Sequence, residues 1–160
     1  MRVFIGLGSN LADPQQQVRS AQKALKTLPM TQWVASSSLY KSPPMGPQDQ
    51  PDYINAVVEL ETILSPHDLL DCLQQIEQQQ GRVRARHWGE RTLDLDLLLY
   101  GDEIIADDRL HVPHPGIAQR AFVIYPLAEI DADIVIPEKG AISELLLSCP
   151  RDGLERIENK

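Results

Sequence analysis

Residues 91–100 read Arg-Thr-Leu-Asp-Leu-Asp-Leu-Leu-Leu-Tyr. Side chains of an extended strand alternate between its two faces, so this run predicts a strand with an apolar and a polar face. The apolar face holds Leu93, Leu95, Leu97 and Leu99, and the polar face holds Asp94 and Asp96. We therefore expect the two carboxylates to converge on one side of a sheet.

A cluster of arginines precedes the two aspartates: Arg82, Arg84, Arg86 and Arg91. Planar guanidinium groups match phosphate oxygens better than lysine does. Mg²⁺ is commonly held by one or two carboxylates together with phosphate oxygens, which makes Asp94 and Asp96 candidate metal ligands. The alternative is an amphipathic strand whose polar face lies in water, and the pattern alone leaves both interpretations open.

The chain has 160 residues, which fits a single domain (residues 1–160) with a substantial core. Its formal net charge of −8 opposes general binding to nucleic acids or anionic membranes. The apolar runs are far shorter than the roughly 20 residues of a membrane span, and the first residues do not resemble a signal peptide. We therefore expect a cytoplasmic protein in which Cys72 and Cys149 are reduced core thiols.

The first part of the chain predicts a strand, a helix and a second strand. The strand covers residues 2–7, and Asp13-Pro14 opens a helix that ends at Pro29, with Asp13 as N-cap and Gln16 completing a capping box. The pair Gly6-x-Gly8 lacks the third glycine of a dinucleotide-binding loop, so it predicts a plain turn. Residues 33–40 predict the second strand.

Two elements precede the strand that contains the two aspartates. They are a strand at residues 53–61 and a helix from Ser65-Pro66 to a capping Gly81. The order matches a ferredoxin-like β-α-β-β-α-β core of the α+β class, an antiparallel sheet with both helices on one face. C-terminal additions follow: a short strand near residues 104–105, an irregular segment at 107–116, a helical turn with Arg120 and Phe122, a strand at 134–136, a helix with Leu145 to Leu147, and a frayed tail from Arg151.

Two polar residues open the strand at residues 53–61. Tyr53 and Asn55 lie on the face opposite its apolar residues, which we expect to be the non-core face, beside the proline-rich loop 41–51. An aromatic ring next to an amide suits a flat heterocycle. The alternative for Tyr53 and Asn55 is an ordinary half-exposed strand edge. The alternative for the loop 41–51 is a surface connection without a binding role.

Three further residues are candidates for ligand contacts. Trp88 is either a lid on a hinged loop or a packing anchor, and His111 and His114 are either phosphate contacts or surface imidazoles. A zinc site is not expected, because no cysteine or third acid clusters with them.

A series of motifs runs in order along nearly the whole chain: Gly8-Ser9-Asn10-Leu11, Ser42-Pro43-Pro44, residues 46–56, Gly81-Arg82-Val83-Arg84 and residues 88–96. Together they resemble the 6-hydroxymethyl-7,8-dihydropterin pyrophosphokinase family of folate biosynthesis. The series is far more specific than any single motif. Family members often have threonine, proline, threonine and tyrosine where this chain has Ser42, Glu90, His111 and Pro115.

The resemblance implies a monomeric enzyme that transfers pyrophosphate from ATP to the pterin hydroxymethyl group and releases AMP. Asp94 and Asp96 would hold two Mg²⁺ ions and act in catalysis together with Arg82 and Arg91. The resemblance places ATP against Glu77, Arg84, Leu97, Arg109, His114 and Arg120. It places the pterin against Ser42, Pro43, Met45, Tyr53, Asn55, Trp88 and Phe122.

Two hypotheses of other classes remain beside the enzyme. A non-catalytic binder of purine-like ligands or phosphates would need the same loops. An RNA-binding module on the same fold is opposed by the acidic net charge and by the lack of paired aromatic residues on strands.

Overall fold

The computed structural model describes residues 1–10, 13–43, 51–81, 93–151 and 153–157. The strands are β1 (Arg2–Ser9), β2 (Thr31–Ser36), β3 (Tyr40–Ser42), β4 (Tyr53–Thr62), β5 (Asp94–Tyr100), β6 (Ile105–Ala106), β7 (His111–Val112), β8 (Val135–Ile136), β9 (Gly140–Ala141) and β10 (Glu155–Arg156). The helices are α1 (Pro14–Leu25), α2 (Pro66–Gly81), α3 (Ala121–Ile130) and α4 (Ile142–Ser148). Among the described helices, none combines the length and hydropathy of a membrane span.

The main sheet is antiparallel and has the order β10-β3-β4-β1-β5. Both β2 and β3 pair with β4, which is long enough to hold one at each end. Helix α1 packs on β1 and β4, and α2 packs on β5. This arrangement confirms the predicted ferredoxin-like α+β fold with an antiparallel sheet.

The sheet is buried on both faces. One cluster joins the sheet to α1 and α2, and the other joins it to α3 and α4. The first includes Ile5, Leu25, Val58 and Leu73, and the second includes Phe4, Val57, Leu127 and Ile142. The expectation that the face with Tyr53 and Asn55 lies outside the core is therefore wrong, because the C-terminal additions form a second layer over it.

A β-bulge interrupts the alternation of β5. Ile5 pairs with Leu97 and Phe4 pairs with Leu99, so Leu98 is an extra residue on β5. Leu97 joins the α1–α2 cluster, whereas Leu98 and Leu99 join the α3–α4 cluster. The prediction that Leu99 shares a face with Leu97 is wrong for this reason, whereas the placement of Leu93 and Leu95 with Leu97 is confirmed.

The strand expected at residues 33–40 is two strands, β2 and β3. Ser37 lies between them, and its hydroxyl accepts a hydrogen bond from the Val57 backbone N–H at 2.9 Å. Its own N–H donates to the Val57 carbonyl at 2.8 Å. A serine side chain that takes part in the backbone pairing ends the regular ladder there.

Both helix-end predictions need correction. Asp13 precedes α1 as expected but has φ 62°, and its side chain makes no capping hydrogen bond, so the predicted capping box is wrong. Helix α2 includes Gly81, which the prediction made the cap of the helix, and the residues that follow it lie outside the described part of the chain. The start of α2 agrees with the prediction, because the Asp68 N–H donates to the Ser65 hydroxyl at 3.1 Å.

The C-terminal part is more ordered than the sequence predicts. The helical turn near Phe122 is a ten-residue helix, α3, and the segment predicted as irregular contains β7. The tail is not frayed at residues 154–157: Leu154 is buried, and β10 pairs with β3 at the edge of the sheet. Pairing with an edge strand satisfies backbone groups that a charged tail would otherwise leave in water.

Neither Cys72 nor Cys149 forms a disulfide bond. Cys149 is buried, as expected of a core thiol, whereas Cys72 is only partly buried on α2. Burial raises the pKa of the Cys72 thiol, and the charges of Asp71 and Asp68 add to this effect.

Glu129 joins the end of α3 to the segment between β2 and β3. Its carboxylate accepts hydrogen bonds from the Ser38 N–H (3.1 Å), the Ser38 hydroxyl (2.8 Å) and the Tyr40 hydroxyl (2.6 Å). Burial raises the pKa of Glu129, but the bonds from Tyr40 and Ser38, with the nearby charge of Arg156, outweigh burial and lower it below its ordinary 4.5. The ionised form of Glu129 is therefore the one that the fold stabilises.

We expect Glu129→Gln to lower the stability by about 2 kcal/mol near neutral pH, or about 6 °C in Tm. Because folding lowers the pKa of Glu129, its charge stabilises the fold above pH 4.5, and this contribution is lost as the pH falls through the folded value. The Tm difference between wild type and variant should shrink accordingly in thermal unfolding on either side of that pH. Exposed Glu138→Gln is the control, and a difference independent of pH would contradict the prediction.

Candidate active site

The central strands bring a buried amide and two carboxylates into adjacent rows of the sheet. Gly8 of β1 pairs with Asn55 of β4 on one side and with Asp94 of β5 on the other. In the next row on the same face, Gly6 pairs with Asp96. Asp94 and Asp96 thus lie on one face, as the alternation of residues 93–97 predicted.

These rows form the floor of a cavity of about 170 Å³. The structure brings together at this cavity many of the residues that the sequence predicted for it. They are Ser42, Pro43, Tyr53, Asn55, Asp94, Asp96, Arg120 and Phe122. Residues from β3, β4, β5 and the start of α3 therefore meet at one place, although they are far apart in the sequence.

One end of the cavity is aromatic and carries a fixed amide. The Asn55 Nδ2 donates to the Ser42 hydroxyl at 2.7 Å, and both side chains are buried. The Asn55 Oδ1 lies over Gly8, because a Cβ at Gly8 would be 3.3 Å from it. Tyr53 and Phe122 line the same cavity. The cavity can therefore offer an acceptor oxygen and aromatic surface to a flat polar molecule.

The other end of the cavity is anionic and has a histidine beside it. The Asp96 Oδ2 is 3.9 Å from the His114 Nε2, and the Asp96 side chain is 46% exposed. Burial lowers the pKa of His114 most, the charge of Asp96 raises it and that of Arg120 lowers it, with a net decrease. Because the Gly116 N–H donates to the His114 Nδ1 at 3.2 Å, the neutral imidazole carries its proton on Nε2. His114 thus presents a donor next to Asp96.

Among the described residues that line the cavity, Arg120 carries the positive charge. It immediately precedes α3, and its guanidinium carbon is 5.8 Å from the centre of the Phe122 ring. This distance is within the range of a cation–π contact.

Other predicted site residues do not line this cavity. Leu97 is 3% exposed and faces the α1–α2 cluster, and Arg109 forms an ion pair with Asp71 of α2 at 2.6 Å. The Glu77 carboxylate accepts a hydrogen bond from the Leu95 N–H at 2.7 Å. Their roles toward ATP stay predictions.

Several predicted residues lie outside the described part of the chain. They are Arg82, Arg84, Arg91, Met45 and Trp88. Their proposed contacts with phosphates and with the pterin also stay predictions.

Sequence reasoning missed Gly6 and Gly8 as parts of the site. It placed Gly6 in the first strand and interpreted the Gly6-x-Gly8 pair as a plain turn after that strand, but β1 continues through Ser9 and both glycines lie within it. The available signal was their spacing of two, because glycines at alternate positions of a strand clear one face of side chains.

Together, the ferredoxin-like fold and this cavity define an α+β domain in which a cavity with aromatic and amide side chains contains two paired carboxylates. The sequence profile of the 7,8-dihydro-6-hydroxymethylpterin-pyrophosphokinase (HPPK) family matches residues 4–132. The chain belongs to this family.

Curated relatives carry the same activity in their names. A 2-amino-4-hydroxy-6-hydroxymethyldihydropteridine pyrophosphokinase of Pseudomonas aeruginosa is 51% identical over 98% of this chain and 96% of its own length. A protein of that name from Haemophilus influenzae is 58% identical over 89% of each chain. The chain is therefore a pyrophosphokinase of folate biosynthesis that acts on the hydroxymethyldihydropterin with ATP as co-substrate. This supports the enzyme hypothesis over the non-catalytic binder and the RNA-binding module.

Solved structures show the same fold. An HPPK-DHPS of Plasmodium falciparum superimposes on 92% of this chain with a TM-score of 0.72 at 12% identity, and the wild-type form gives 0.71 at 12%. This chain spans only 45% and 40% of those chains. At such low identity the likeness concerns the fold alone.

We expect Ser42→Ala to destabilise the protein by about 2 kcal/mol, because it leaves the buried Asn55 Nδ2 without its acceptor. Denaturant unfolding monitored by circular dichroism measures the change. Ser42→Thr is the matched control, since it retains the hydroxyl and should recover most of the loss. Equal stability of the alanine variant and the wild type would contradict the prediction.

Proposed function

We propose that the pterin occupies the aromatic end of the cavity and that Asp94 and Asp96 hold two Mg²⁺ ions that bind the ATP phosphates. The observation that carries this proposal is that the Asn55 amide and the two carboxylates lie in adjacent rows of one sheet face, separated only by glycines. No side chain of β1 stands between the two ends at Gly6 and Gly8. A ring at Asn55 can therefore extend its hydroxymethyl arm toward the carboxylates.

The donor pattern of the pterin fits the fixed amide. Because the Asn55 Nδ2 is used by Ser42, the Oδ1 remains as acceptor above Gly8. The pterin ring offers N–H donors on its pyrimidine half, which suit this oxygen. Tyr53 and Phe122 would stack on the ring faces, and their contact area supplies affinity without regard to ring orientation.

The carboxylate pair fits Mg²⁺ better than a metal that needs a complete protein cage. Among the described residues, no group of three His, Cys, Asp or Glu side chains forms a closed site. Mg²⁺ usually takes one or two carboxylates and completes its octahedron with water and phosphate oxygens. The half-exposed Asp96 leaves room for such ligands. When bound, the ions would supply charge neutralisation to the phosphates during transfer.

The reaction requires the pterin hydroxyl oxygen to form a bond to the β-phosphorus of ATP. The bond from that phosphorus to the α–β bridging oxygen breaks, AMP leaves with the bridging oxygen, and the hydroxyl proton is released. In this arrangement Asn55 and the aromatic rings orient the acceptor. Arg120 and the His114 Nε2–H provide donors for phosphate oxygens next to Asp96. Arg82, Arg84 and Arg91 are proposed to add further phosphate contacts.

The oligomeric state and the location are also part of this proposal. We propose a monomer, because both substrates would bind within one chain. The cytoplasmic location and the absence of nucleic-acid and membrane partners rest on the sequence, chiefly on the net charge of −8.

We expect Asp96→Ala or Asp94→Ala to lower kcat by about a thousandfold, which corresponds to about 4 kcal/mol of lost phosphate neutralisation. The assay measures AMP formed from MgATP and the dihydropterin alcohol. Asp102→Ala, in the turn after β5, is the matched control and should retain activity. Full activity of either site variant would refute the metal assignment, and release of ADP instead of AMP would refute the transfer itself.

We expect Gly8→Ala to raise the Kd for the pterin about tenfold, because the added Cβ would lie 3.3 Å from the Asn55 Oδ1 and fill the open floor. Gly6→Ala adds the same methyl group one row along, where it meets the Leu98 side chain at an ordinary 3.4 Å. Its effect on the Kd should be several times smaller. Titration calorimetry compares the two, and equal effects would show that the floor at Gly8 does not meet the pterin.

A further inference from the structure

Glu77 contacts the strand that carries the two carboxylates, rather than the cavity. It lies near the end of α2, and its Oε2 accepts a hydrogen bond from the Leu95 N–H at 2.7 Å. Leu95 is the residue between Asp94 and Asp96. The carboxylate of Glu77 therefore holds the backbone at the centre of the Asp-x-Asp pair.

The hydrogen bond from Glu77 takes the place of a missing neighbour strand. Within the described sheet, β5 pairs with β1 on one side and has no strand on its other side. Backbone N–H groups of successive strand residues point to alternate sides. Because the Leu95 N–H points outward to Glu77, the N–H groups of Asp94 and Asp96 point inward to β1, where these residues pair with Gly8 and Gly6.

Three consecutive residues are thus held from both sides at the beginning of a strand that lies at the edge of the described sheet. Strand ends and edges are the parts of a sheet that open most readily. A hydrogen bond to an ionised carboxylate is stronger than one between neutral groups, so Glu77 is a firm anchor at this point. A displacement of the backbone at Leu95 would also move the Cα atoms of the aspartates on either side of it.

We propose that Glu77 is a positioning residue that fixes the backbone of the carboxylate pair, instead of contacting ATP. This inference rests on the proposed metal site at Asp94 and Asp96. Glu77 is not among the described residues that line the cavity, which supports this role. A carboxylate is also an unfavourable direct neighbour for a triphosphate of the same charge sign.

The test compares Glu77→Ala, which removes the acceptor, with Glu77→Gln, which keeps an acceptor oxygen without the charge. Gln78→Ala is the matched control, because Gln78 is the exposed neighbour on the same helix. Amide hydrogen exchange of the full chain, followed by NMR without ligands, reports on the Leu95 N–H. We expect exchange at Leu95 to accelerate about tenfold in Glu77→Ala, several times less in Glu77→Gln, which keeps a weaker neutral acceptor, and to change little in Gln78→Ala.

A binding experiment without turnover measures the consequence for the metal. The probe is Mn²⁺ with an ATP analogue whose α–β bridge is a methylene group, which cannot transfer pyrophosphate. We expect Glu77→Ala to weaken Mn²⁺ binding about tenfold, and Glu77→Gln to restore most of the affinity. Affinity for the analogue in excess EDTA should be the same in all variants.

Three outcomes would overturn the proposal. They are unchanged Leu95 exchange in Glu77→Ala, accelerated exchange with unchanged Mn²⁺ affinity, and loss of metal-free nucleotide affinity in both Glu77 variants. If Glu77→Ala does not fold, exchange of the Leu95 amide in the wild type tests the proposal instead. A fully unprotected Leu95 amide would overturn the proposal. A protected Leu95 amide, together with native Mn²⁺ affinity in Glu77→Gln, would support it. Normal Mn²⁺ binding by Asp96→Ala would instead refute the metal site itself.

Discussion

The antiparallel pairing of β1 with both β4 and β5 is the constraint on which the rest of the molecule depends. It aligns Asn55, Gly8 and Asp94 in one row, and so joins the two ends of the cavity. This pairing also places β1 at the centre of the sheet. The helices α1 and α2 cover one face of β1 and the C-terminal helices cover the other, so β1 is buried on both faces. A central strand with glycines on one face can therefore be structural core and site floor at once.

Local periodicity was enough to predict the elements whose side chains alternate regularly. The period of two in residues 93–97 predicted the common face of Asp94 and Asp96. Prediction failed where one residue changes the pattern through a contact distant in sequence. The Ser37 hydroxyl meets Val57 on another strand, and the bulge at Leu98 depends on pairing with β1. Neither contact has a signal in the residues around it.

Some features of the site could likewise be predicted from the sequence, and others could not. The family resemblance predicted that Ser42, Tyr53, Asn55, Phe122 and the two aspartates belong to one site, and the cavity brings them together. The second layer over Asn55 was not predicted, because a buried face built by later segments looks like a solvent face in β4 alone. For Glu77 the resemblance predicts a place near ATP, and the structure adds a contact that the sequence does not indicate, the hydrogen bond from the Leu95 N–H.

The extra residue at Leu98 has a consequence for comparing sequences of this family. The three leucines at 97–99 look interchangeable, yet Leu97 faces one layer and the next two face the other. Loss of any one of them would appear as a conservative shortening in an alignment. In the sheet it would remove the bulge and restore regular alternation, so that Leu97 and Tyr100 would still face the α1–α2 layer. A gap within this leucine run therefore removes one leucine from the α3–α4 layer and leaves the facing of the other β5 residues unchanged.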